Sequence, residues 1–118
     1  MIVIRCLREQ DETWVRRLIH QRRLAAEVRR EGAWDVLIDG MGCVRGGGQA
    51  ITCGMDRRDT LTVSSLLQNG GMATLQRQIH TLDGRPIEPR ELSLEGLSGE
   101  IGQKLTAAAL LLLLDEKN

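Results

Sequence analysis

The chain has no phenylalanine and no tyrosine, and its only aromatic side chains are Trp14 and Trp34. Surfaces that hold single-stranded nucleic acid stack bases on aromatic rings, so a platform of that kind is all but excluded. The core must instead be assembled from Leu, Ile, Val, Ala and Met. Cysteine is scarce as well. Cys6, Cys43 and Cys53 are an odd number without a CxxC pair, which argues against a disulfide framework, and with His20 and His80 they offer no paired spacing for a metal. No apolar run reaches membrane length: Ala107 to Leu114 supplies eight residues, where a spanning helix needs about twenty. That run also lacks the basic face of an interfacial helix, so no membrane partner is expected. The opening stretch MIVIRCLREQ is too short in apolar residues for a signal peptide and lacks a small-residue cleavage pattern. The expectation is a cytoplasmic protein with reduced thiols.

What is present is an ordinary globular composition. Hydrophobic residues make up 42% and charged residues 27%, with 16 basic groups against 16 acidic ones, which excludes intrinsic disorder and collagen-like repeats. A single domain of 118 residues buries roughly 65% of the surface its unfolded chain exposes, enough for a core without staples. No internal repeat and no linker divides it, so residues 1–118 are expected to form one domain.

MIVIRCL reads as a strand of about six residues. The stretch from Asp11 to Glu31 then has an acidic start, a capping residue in Asp11, basic residues near its end and Gly32 where a left-handed stop belongs, which predicts a helix of about twenty residues. Helical spacing puts Trp14, Leu18, Ala25 and Val28 on one face, and Arg16, Arg23 and Arg30 on the opposite one. From Trp34 onward, turn signals recur every ten to fourteen residues, the mark of an antiparallel meander. Asn69-Gly70 is its best hairpin signal, and Met55 to Asp59 has the length of another. Met72 to Leu82 fits a helical stripe almost as well as a strand, and is taken as strand. A helix follows from about Glu100 to Asp115.

The end of that helix, LTAAALLLLL, sets the main question. A helix that is apolar all round must be surrounded, and one sheet covers only one side of it. Full burial of a leucine is worth about 1.5–3 kcal/mol, so leaving several exposed is costly. Three covers are open: the chain's own sheet and first helix, a second copy through a twofold dimer, or a different protein. Leu105, Leu110, Leu111, Leu112, Leu113 and Leu114 are the self-association candidates.

Candidate chemistry is thin. Gly40, Gly42, Gly46, Gly47 and Gly48 follow a strand but are succeeded by the strand-like QAITC, whereas a phosphate loop opens a helix at its glycines. The segment therefore reads as a hairpin connection. Cys43, Cys53 and His80 could only meet through the tertiary fold, and Cys6 and Cys53 read as small core hydrophobes. Asp35 and Asp39 fall on one strand face, an unremarkable pair. Arg16, Arg17, Arg23 and Arg30 are the partner-binding candidates, since Arg is enriched at interface hot spots. Residues 11–31 carry six basic and four acidic groups, a small excess for a nucleic-acid domain, so nucleic acid is the lesser alternative and a small cysteine enzyme the next.

The expected architecture is one α+β domain: an N-terminal strand and long helix, a mostly antiparallel meander, and an apolar C-terminal helix packed on the sheet. This order of elements resembles small dimeric bacterial adaptor and secretion-chaperone domains, a likeness of architecture without a shared motif. It implies a non-catalytic protein–protein interaction module needing no cofactor, with itself and a further protein as partners.

Overall fold

In the computed structural model, residues 2–40, 44–46, 49–65, 71–97 and 99–114 are described. The first sheet has five strands in the order β2-β1-β3-β4-β5, namely β1 (Ile2–Cys6), β2 (Ala26–Val28), β3 (Val36–Ile38), β4 (Val44–Gly46) and β5 (Gln49–Ile51). The second has four in the order β11-β8-β7-β6, from β6 (Cys53–Gly54), β7 (Leu61–Ser65), β8 (Met72–Leu75) and β11 (Arg90–Ser93). A small hairpin of β9 (Ile79–His80) and β10 (Pro86–Ile87) stands apart. Helix α1 (Glu9–Arg22) packs on β1 and β2, and α2 (Ile101–Leu113) packs on β4, β6 and β7. The radius of gyration of 13.2 Å is that of a single domain of this length, and the class is α+β.

The sheets are mixed rather than a plain antiparallel meander. β1 lies between two parallel neighbours, with Ile4 level with both Val28 of β2 and Val36 of β3. Because β2 ends where β3 begins, the connection over 29–35 need not run back along a strand, and no second crossover helix is required. Turn-signal spacing sees local hairpins and is blind to this pairing. The Met55–Asp59 connection is likewise not a hairpin, since β6 and β7 are parallel, with Cys53 beside Leu61. Here the Asp59 carboxylate accepts from Asp56 N at 3.0 Å, and Thr52 and Thr60 accept from each other's backbone N–H, closing a compact loop. β7 and β8 do form the expected antiparallel pair, as do β3 with β4 and β4 with β5. The Asn69-Gly70 turn lies outside the described residues. Met72 to Leu82 holds two short strands, β8 and β9, and no helix.

Helix α1 is fourteen residues long, not twenty. It begins after Arg8, so that Asp11 sits inside the first turn instead of capping it, and it stops at Arg23, whose φ of 51° is left-handed. Leu24 N then bonds Ile19 O at 3.1 Å. Pairing with β1 takes the chain away from the helix: Ala26 and Val28 are buried along β2, and Ile2 N donates to Ala25 O at 3.0 Å. A buried parallel ladder outweighs helix propensities of tenths of a kcal/mol per residue. Gly32 is left-handed as its sequence context suggests, but it turns the 29–35 connection rather than ending a helix.

Candidate interaction surface

Helix α2 answers the question of the leucines largely within the chain. Leu105, Leu110, Leu112 and Leu113 are buried, with Ala107, Ala108 and Ala109, against a core that includes Ile51, Leu61, Leu75 and Leu94. The helix forms because Ala and Leu favour it, and its first turn is held by the Gln103 side chain, whose Oε1 accepts from Glu100 N at 3.0 Å. Its far end is tied down where Leu82 N donates to Leu113 O at 3.0 Å. Leu111 and Leu114 alone of the six candidate leucines stay half-buried.

Leu111 borders a groove of about 220 Å³ between α2 and β11. Its apolar lining comes from Leu92, Leu97, Ala108, Leu111 and Leu112, and its charged rim from Arg22, Arg90 and Glu95. The groove continues past Arg22 and Leu97 into a narrow cleft between the two helices, where Trp14, Arg17 and Leu18 face Ala107. Arg22 fixes this seam by donating to Gly96 O at 3.0 Å. β11 pairs only with β8 among the described residues, so its other edge runs open along the groove. Sequence reasoning named Leu111, Leu112 and Arg17 here but missed Arg22, Arg90, Leu92 and Glu95. The signal for the strand half was the alternation of Leu92 and Leu94 with polar neighbours.

The four candidate arginines do not share one helical face. Arg16 and Arg17 lie on α1, Arg23 is its left-handed terminus, and Arg30 follows β2. Arg16 and Arg30 converge on one carboxylate, Glu12, at 2.9 and 3.3 Å, and so clamp α1 to the segment beyond β2. These two guanidinium groups hold the Glu12 carboxyl below its usual range, the hydrogen bond from Arg16 contributing most. Arg17 and Arg23 are exposed and make no ion pair among the described residues.

Beside the clamp, at the carboxyl end of β1, Arg5, Cys6, Leu7, Glu9, Glu12 and Arg30 line a hollow of about 280 Å³. Ligands often bind at such strand ends; here Glu12 and Arg30 of the lining pair with each other, and a second ion pair lies close by. Arg8 pairs with Asp11 at 2.9 Å and donates to Gly40 O at 3.2 Å; a side chain at Gly40, whose φ is 82°, would collide with both Arg8 and Asp11. Burial, reinforced by Asp11 and Glu12, pushes the Cys6 thiol up to about 12, away from the thiolate a nucleophile requires. Cys53 is half-buried, and its sulfur lies 3.8 Å from Leu105 O, under α2. Cys43 lies outside the described residues. No group of three or more His, Cys, Asp and Glu suited to a metal, and no helix long and apolar enough to cross a membrane, occurs among the described residues.

No protein-family model matches the chain, and no curated protein and no solved structure matches it either.

Proposed function

We propose that this chain is a non-catalytic protein–protein interaction module of the adaptor, chaperone or assembly-factor kind, which forms a homodimer through the exposed side of α2. The observation that carries the reading is the groove beside Leu111: a lining of leucine and alanine next to a strand, β11, that ends its sheet among the described residues, a combination that a second protein surface can cover. Leu105, Leu110, Leu112 and Leu113 support the same assembly from inside, by fixing the helix that presents Leu111 and Leu114. Arg17 and Arg23, free of ion pairs among the described residues, are assigned to an acidic client protein; Arg16 and Arg30 shape that surface through Glu12. We assign the module to the cytoplasm, in keeping with an odd number of cysteines and no CxxC pair.

Two neighbouring substitutions test the dimer. Leu111→Asp places a charge at a half-buried position and is expected to leave a folded monomer, whereas Leu112→Asp places one in the core and is expected to unfold the chain. Sedimentation and thermal melting of both variants beside the wild type decide it. A wild type that stays monomeric at high micromolar concentration contradicts the proposal.

A further inference from the structure

We propose that the hollow at the carboxyl end of β1 binds a free α-amino acid, which takes the place of one strand residue beside Cys6: its carboxylate on Arg5 and the Cys6 N–H, its ammonium on Glu9 and the Cys6 carbonyl. The site does not depend on the dimer reading above.

The hollow exists because β2 stops short of the end of β1. β2 ends at Val28, level with Ile4, while β1 runs on to Cys6. Along a strand, the N–H and C=O of one residue point to the same edge, and successive residues alternate between the two edges. Val3 and Leu7 turn toward β3, where Val3 O accepts from Asp35 N and Leu7 N donates to Ile38 O. Ile2 and Ile4 turn toward β2, where Ile2 N donates to Ala25 O and Ile4 O accepts from Arg29 N. Cys6 is next in that second series, and no backbone partner follows for it among the described residues. Its donor and acceptor therefore open toward the hollow, which Arg30 borders from the β2 side.

Where antiparallel strands meet, two facing residues exchange both of their N–H···O bonds. A free α-amino acid carries its ammonium and its carboxylate on either side of one carbon, so it can exchange both bonds with Cys6 alone. The order of the charges matches this direction. Arg5 precedes Cys6 and Glu9 follows it; both line the hollow, and neither has an ion-pair partner among the described residues. A ligand antiparallel to β1 sets its carboxylate on the N–H side of Cys6, toward Arg5, and its ammonium on the carbonyl side, toward Glu9, making charge-assisted bonds at both ends. Glu12, the other carboxylate of the lining, is already held by Arg16 and Arg30. Leu7, 60% exposed, and Cys6 supply an apolar wall, which selects an aliphatic side chain. The volume of about 280 Å³ falls at the small end of ligand pockets, a size for one residue.

Titration of the full ¹⁵N-labelled chain with L-leucine, followed by NMR, tests the site. A saturable shift of the Cys6 amide is expected, with 4-methylpentanoate, which lacks the amine, and 3-methylbutylamine, which lacks the carboxylate, each binding at least roughly tenfold more weakly. N-acetyl-leucine and leucine amide, which mimic peptide ends, are expected to bind as poorly as these. Arg5→Gln and Glu9→Gln should each weaken leucine roughly tenfold without lowering the melting temperature, whereas Arg17→Gln should change neither. Absence of a saturable shift up to about 10 mM leucine, equal binding of either single-charge analogue, or unaltered affinity in both hollow variants would overturn the proposal.

Discussion

Glu12 is the residue on which the surface arginines depend. One carboxylate, itself nearly enclosed, receives Arg16 from its own helix and Arg30 from eighteen positions further on. Helical periodicity assigned these arginines to a shared face; what joins them is a long-range ion pair that sequence spacing cannot reveal. Glu12→Gln is expected to lower the melting temperature more than Arg16→Gln or Arg30→Gln alone, since it releases both partners. The folded-state pKa of Glu12 is depressed, so its contribution is present above the unfolded value of 4.5 and fades as pH falls below it. The melting difference between wild type and Glu12→Gln should therefore shrink on acidification below about pH 4.5. Cys6, close by, behaves in the opposite sense. Its thiol is raised to about 12, so its alkylation by iodoacetamide in folded protein at pH 8 is expected to be much slower than in urea, and slower than a free cysteine's. Rapid modification of Cys6 in native protein, followed by mass spectrometry, would reopen the cysteine-enzyme alternative.

At the scale of elements, α2 divides into residues that hold the fold and residues that face outward. Leu110 is fully buried, and Leu110→Ala is expected to cost about 2–5 kcal/mol in chemical denaturation. Leu111→Ala, at a half-buried position, should cost well under half as much while weakening self-association. Equal losses for the two would mean that the helix is rotated from its described orientation. This partition was legible only in part. That the run had to be covered followed from its composition; which leucines face the sheet did not, because five in succession carry no periodicity. The first strand, the closing helix and the β7–β8 pair could be read from alternation and turn residues, whereas the parallel β6–β7 pair could not. The early end of α1 could not, as Arg23 has none of glycine's preference for a left-handed stop, and β2 is created by its pairing with Ile2 to Ile4 rather than by its own three residues. The open edge of β11 was hidden for a similar reason: Arg90 to Ser93 becomes a strand by pairing with β8.

Across the whole molecule, the chain supplies most of the cover its leucine tail requires, and Leu111, one of the two leucines left half-buried, borders the groove. The monomer core and the dimer are thus separate claims. α2 should be firm in an isolated chain, because Leu105, Leu110 and Leu113 are buried within that chain. Nucleic-acid binding through Arg16, Arg17, Arg23 and Arg30 would look different, as affinity for a duplex falling steeply between about 50 and 200 mM salt; an interface lined mainly by leucine and alanine responds weakly to salt. Amide hydrogen exchange along α2, followed at the lowest and highest workable protein concentrations, tests the central claim most directly. Residues 105–113 are expected to exchange only through global unfolding at both concentrations; rapid exchange along α2 in the diluted chain would contradict its burial in a single copy.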